Sequence, residues 1–146
     1  MPYWKHAMSS LDHYIALLES LSPANLGQLR ELVCDDIHFS DPFNDIVGVD
    51  EYLALLNEMF DRLDDVHFRV HEVSREGMVA HLYWAYSASS QLTGQLAFQG
   101  TSRIVLAENG RVARHQDFWD SAVVYGRLPL IGSLMRWLKK RTAYRG

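Results

Sequence analysis

The chain has 146 residues, 48% of them hydrophobic and 22% charged, with one cysteine and a net charge of −4. That length suits one domain that buries most of its apolar surface without staples, and the composition excludes the disordered and fibrous classes. Cys34 has no partner in the sequence for an internal disulfide, and a structural zinc site would need several thiolates or histidines, so the residue reads as a buried, inert thiol.

The charge is unevenly spread. Residues 127–146 hold six basic side chains and no acidic one, whereas residues 1–126 hold eight basic and all eighteen acidic side chains, a net of −10. A body that acidic argues against nucleic acid as a partner. Met1-Pro-Tyr-Trp-Lys-His lacks a basic segment followed by an apolar one, and no apolar run is long enough to span a bilayer. The cytoplasm is the expected compartment.

In chain order, Leu11, Tyr14, Ile15, Leu18 and Leu21 follow helical spacing, with Ser9 or Ser10 as cap. Ser22-Pro23 signals a second helix with Leu26, Leu29, Leu32 and Val33 as its stripe. A short strand from Ile37 to Asp41 stops at Pro42. Asp50 is the expected cap of a third helix, with Leu53, Leu56, Met59, Phe60 and Leu63 on its apolar face. Strands then follow over Val66 to Ser74, Met78 to Ser90, Gln95 to Ala107 and Val112 to Trp119. Arg75-Glu76-Gly77, Thr93-Gly94 and Glu108-Asn109-Gly110-Arg111 are the turns between them. Leu130 to Arg141 closes the chain as a basic amphipathic helix. The order predicts an α+β domain in which helices pack on a strongly curved, mainly antiparallel sheet, and curling of such long strands makes a cone with an interior.

Two sets of residues in that interior carry chemistry. Ile37, Phe39 and Asp41 alternate along one strand and point the same way. An inward carboxylate among apolar walls has a raised pKa and serves as a general base near neutral pH; the competing reading is a carboxylate capping the turn before Pro42. His115 and Asp117 lie two apart, share a strand face with Ala113 and Trp119, and are placed to orient each other. Their competing reading is a hydrogen-bonded pair on a solvated or dimeric face. Tyr83, Trp84, Tyr86, Phe98, Phe118 and Trp119 are core residues or a flat ligand wall. No metal site is expected: His67 and His71 stand four apart on a strand, roughly 13 Å, too far to share an ion.

Several short segments carry a resemblance. Asp35-Asp36, Phe39-Ser40-Asp41-Pro42-Phe43, Gly48-Val49-Asp50-Glu51-Tyr52 and His115-Gln116-Asp117-Phe118-Trp119-Asp120, after a helical start, resemble the NTF2-like superfamily, which includes ketosteroid isomerase, SnoaL-type polyketide cyclases and limonene epoxide hydrolase. The resemblance covers residues 7–125. It implies a cone-shaped NTF2-like or SnoaL-like domain over residues 1–126, with residues 127–146 as a helical extension of it. It further implies that Asp41 matches the base of the isomerase and that Tyr14 matches a tyrosine hydrogen-bonded to the developing enolate oxygen; on spacing alone Tyr14 reads instead as a core tyrosine whose hydroxyl finds a local partner. Ser102 then falls where the isomerase has a protonated acid as second donor, and His115 with Asp117 resembles the late-strand site of the cyclases. The pocket would be lined by Phe39, Phe43, Tyr83, Ser102 and Trp119. The epoxide hydrolase's Asp-Arg-Asp arrangement finds only Arg103 and Asp117.

The expected function is a pocket for a small apolar, carbonyl-containing or lipid-like molecule, acted on by a cofactor-independent isomerase, cyclase or hydratase with Asp41 as base. The alternative is a noncatalytic ligand- or partner-binding module. A homodimer through the sheet is the expected assembly. The C-terminal helix either packs on the body or a second subunit, or touches a membrane surface.

Overall fold

The protein, as a computed structural model, is described over residues 8–144. The N-terminal segment Met1–His6 and Arg145 of the basic tail lie outside that range.

Helix α1 (Ser10–Glu19) begins in a capping box: the Ser9 hydroxyl accepts from the Asp12 amide, and the Asp12 carboxylate accepts from the Ser9 amide. Leu11, Tyr14, Ile15, Leu17 and Leu18 form its buried face. The predicted second α-helix is instead a six-residue 3₁₀ helix, Leu26–Glu31. The reason is local. The Asn25 side chain accepts from the Ser22 amide at 2.7 Å and donates to the Ser20 carbonyl at 2.9 Å. Ser22–Asn25 is therefore a closed turn, and little chain remains before the first strand.

Strand β1 (Val33–Ser40) starts earlier than its apolar alternation predicts, because a register irregularity between Val33 and His38 breaks the alternation. It ends in a turn at Asp41, and a short strand β2 (Asp45–Val47) returns along it. Helix α2 (Val49–Arg62) is capped by Gly48, whose φ of 110° makes the bend. Asp50 lies inside its first turn and pairs with Arg30 at 2.6 Å, so it is not the cap.

Four long strands complete the sheet: β3 (Asp64–Glu76), β4 (Val79–Ser90), β5 (Gly94–Leu106) and β6 (Val112–Trp119). In the β5–β6 turn only Gly110 takes a positive φ, 83°, so one glycine rather than the Asn-Gly pair makes the reversal. The sheet order is β2-β1-β6-β5-β4-β3. Every pairing is antiparallel except β1 with β6, which is parallel and joins the β1–β2 pair to the long strands.

Ala80, Leu82, Trp84, Ile104 and Val112 on the inner face are fully or nearly fully buried beneath α1 and the 3₁₀ helix. Trp84 lies over Gly100: a Cβ there would come within 2.6 Å of the indole and 2.9 Å of the Phe118 carbonyl. Two further helices, α3 (Ala122–Tyr125) and α4 (Pro129–Thr142), end the described chain. No helix among the described residues is long and apolar enough to cross a membrane. Cys34 is half-buried on β1; burial, then the neighbouring Asp36 charge, pushes its thiol pKa up, which suits an inert thiol.

Candidate active site

The packing of α2 creates the site. Its face of Leu55, Leu56, Met59, Phe60 and Leu63 is only half-buried and stands away from the inner sheet surface. The space left is a cavity of about 890 Å³. Phe39, Phe68, Trp84, Leu96, Phe98 and Trp119 of the sheet form the opposite wall. Phe98 stacks on Trp119 with centroids 4.6 Å apart, and Phe43 meets Trp119 edge-on at 5.3 Å. Such a wall suits a flat apolar molecule.

Polar side chains also line this cavity, among them Asp41, Tyr52, His115 and Asp117. The last three belong to a hydrogen-bonded line that crosses the domain. Tyr52 Oη lies 2.8 Å from Tyr14 Oη, and Tyr14 Oη lies 2.7 Å from His115 Nδ1. His115 Nε2 lies 2.6 Å from Asp117 Oδ1. The Ser102 hydroxyl donates to the same oxygen at 2.5 Å and accepts from Trp84 Nε1–H at 2.8 Å.

Donor and acceptor chemistry sets the direction of this line at its Trp84 end. Indole N–H only donates, so Ser102 must pass its own proton to Asp117. A carboxylate at Asp117 only accepts, so His115 gives it Nε2–H. With a neutral ring, His115 Nδ1 accepts from Tyr14, and Tyr14 accepts from Tyr52. Both phenols stay protonated. Burial pushes the Tyr14 pKa well above its usual 10.0, and the Tyr52 and Asp117 neighbours add to this. Burial likewise raises Tyr52, against a smaller opposite effect of its bond to Tyr14. All the protons point toward one carboxylate oxygen, and Asp117 Oδ2 takes no bond from any described residue.

Asp41 faces the same cavity from the end of β1. Its Oδ1 accepts from the amides of Phe43 and Asn44, each at 2.8 Å, and from the Asn44 side chain at 3.0 Å. Burial raises its pKa above the usual carboxylate value and prevails over these hydrogen bonds; the Asp117 charge pushes the same way. Asp41 thus both caps its turn and borders the cavity, so the two readings of this residue are compatible.

The SnoaL-like domain family matches residues 14–115, most of the chain, from the buried tyrosine of α1 to the histidine of β6. The protein belongs to the SnoaL-like family. No curated protein matches it by sequence. Its fold is shared with solved structures of low identity. An NTF2-like protein of unknown function from Exiguobacterium sp. 255-15 is 20% identical, with 77% of this chain and 98% of that one covered and a TM-score of 0.67. A candidate SnoaL-like polyketide cyclase from Jannaschia sp. CCS1 is 12% identical, with 99% of both chains covered and a TM-score of 0.66. An M. tuberculosis LEH-like epoxide hydrolase is 15% identical, with 88% and 92% covered and a TM-score of 0.65.

Within this SnoaL-like domain, the residues singled out from sequence fall in three places. Asp41, His115, Asp117, Phe39, Phe43 and Trp119 border the cavity. Tyr14 and Ser102 do not: at 0% and 1% exposure they lie behind the wall, bonded to His115 and Asp117. Tyr14 is thus a core tyrosine with local hydrogen-bond partners, and it meets no ligand directly, contrary to the enolate contact that the resemblance implies. Tyr83 is on the outer face of the sheet, where its hydroxyl donates to Gln99 at 2.6 Å. It alternates with the inward Leu82 and Trp84, so the pleat turns it away. Arg103 is turned outward by the same parity, between buried Ser102 and Ile104, so an Asp-Arg-Asp triad does not form. Among the described residues no cluster of His, Cys, Asp or Glu has metal-holding geometry.

Tyr52 and Trp84 join the polar line unforeseen. Val49, Tyr52 and Leu56 stand at helical spacing i, i+3, i+7, which is the signal that marks Tyr52. Counting the β5–β6 ladder from its turn places Ser102 opposite Asp117, which marks that contact.

Proposed function

We propose that the protein is a cofactor-independent enzyme of the isomerase, cyclase or hydratase type, acting on a small apolar carbonyl compound held in this cavity. One observation carries the reading: two carboxylates in different environments, Asp41 and Asp117, border one largely apolar cavity, near enough that the Asp117 charge helps raise the Asp41 pKa. A pair of that kind divides acid and base roles. Asp41, with its raised pKa, takes or returns a proton. Asp117 Oδ1 is fixed by Ser102 and His115, which leaves Oδ2 for the substrate. His115 is poised to receive charge as the substrate changes, and Tyr14 with Tyr52 holds its ring and tautomer. The candidate cyclase and the epoxide hydrolase that share the fold support a reaction in this cavity by analogy alone.

A second reading, a noncatalytic module holding the same ligand, is supported by Asp41 Oδ1, which accepts three hydrogen bonds from its own turn. We also propose a homodimer through the outer sheet face, where Phe118 is 55% exposed.

The test starts from the protein as purified. Extraction and mass spectrometry identify any retained small molecule, which is then incubated with wild-type protein in D₂O. The enzyme reading expects conversion of the molecule or exchange of its acidic hydrogens. A retained carbonyl compound that the protein neither converts nor exchanges establishes the binding module instead.

A further inference from the structure

Helix α4 is amphipathic in the wrong direction for a helix packed on its own domain. It packs on the end of α3, where Gly132 is its one buried residue and Arg136 Nη1 donates to the Gly126 carbonyl at 3.1 Å. A Cβ at position 132 would come within 2.5 Å of that carbonyl, so the contact requires glycine. The apolar stripe points elsewhere. Leu130 is 87% exposed, Leu134 55%, Trp137 53%, Ile131 45% and Leu138 41%. At 100° per residue these five lie on one arc, facing away from Gly132. Burying such a stripe is the usual reason an amphipathic helix stays on a soluble body, and here the fold leaves it bare.

Charge narrows what can cover it. Lys139, Lys140 and Arg141 fill the last turn, and the Arg141 guanidinium stands over the Trp137 ring at 5.2 Å. Residues 127–146 include no acid, against a body of net −10. Exposed Leu, Ile and Trp, rimmed by cations and free of carboxylates, match the acyl–headgroup boundary of an anionic bilayer.

We propose that α4 is a membrane-docking helix, which lays Leu130, Ile131, Leu134, Trp137 and Leu138 into the surface of a bilayer carrying anionic lipid. Docking is peripheral, because the helix is too short to span. It also needs no ligand in the cavity.

Flotation of the full-length protein with vesicles tests this. One set contains phosphatidylcholine and phosphatidylglycerol in equal parts, and the other phosphatidylcholine alone. Wild-type protein floats with the anionic set and far less with the neutral one. Leu134→Glu with Trp137→Glu abolishes flotation while leaving the melting temperature unchanged, since both side chains are exposed. If that pair fails to fold, Lys139→Gln with Arg141→Gln decides: removing two cations lowers the vesicle affinity roughly thirtyfold at low salt. Wild-type protein that stays with neither set overturns the proposal, as does equal flotation with both. Self-association abolished by the Glu pair, without vesicle binding, also overturns it, and assigns the stripe to a second copy.

Discussion

Tyr14→Phe removes one oxygen from the centre of the polar line. That hydroxyl is 2.8 Å from Tyr52 Oη and 2.7 Å from His115 Nδ1, in a side chain with 0% exposure. Two net hydrogen bonds at about 1 kcal/mol each set the base cost, and a stranded buried acceptor adds about 1–3 kcal/mol. The expected loss is about 3–5 kcal/mol, which lowers the melting temperature by roughly 6–20 °C for a chain of this size. Tyr52→Phe alone costs less, about 1 kcal/mol, because Tyr14 still donates to His115. The double variant costs less than the sum of the two by about 1 kcal/mol, since the bond between the phenols is counted in both single variants. Urea unfolding followed by circular dichroism measures all four proteins. A Tyr14→Phe protein as stable as wild type, or strict additivity in the double variant, refutes the line from Tyr52 to His115.

Further outcomes follow from other parts of the fold. Gly100→Ala drives a methyl group into the Trp84 indole and the Phe118 carbonyl and lowers stability by about 1–3 kcal/mol, read as a fall in the urea midpoint. Ser9→Ala removes the capping box of α1 at a cost of about 1 kcal/mol by the same measurement. Asp41 gives stability a particular pH dependence. Its unfolded carboxyl titrates near 3.8 and its folded one higher, so between the two values the folded state binds more protons. Its contribution to stability therefore falls as pH rises through that window, and ionised Asp41 is destabilising above it. Asp41→Asn keeps an acceptor for the turn and flattens this dependence; urea midpoints from acid to neutral pH that fall alike in both proteins contradict the assignment.

The fold was legible where one period rules a long segment. The alternation of β4 and β5 and the stripe of α1 are set by a single buried face. It was less legible where local bonds compete: the Asn25 side chain closes Ser22–Asn25 into a turn that the Ser-Pro signal does not reveal. The parallel pairing of β1 with β6 joins residues far apart in the chain, and the irregularity after Val33 hides the first half of β1. At the site, strand parity brought His115 and Asp117 to one face, and the same parity excludes Tyr83, which an aromatic-rich strand alone could not show. Tyr14 was found on the right helix face but one layer too deep: position on a stripe does not tell a cavity wall from the core behind it. The α2 stripe shows the converse, since apolar residues that read as core border the cavity.

The most direct test of the account is deuterium exchange of a 1,3-dicarbonyl probe in D₂O, with wild type, Asp41→Asn and Asp117→Asn compared side by side. Wild type is expected to exchange above the buffer rate, and both variants to lose that exchange by a factor on the order of a hundred or more. Wild-type exchange that survives both substitutions undiminished would contradict it.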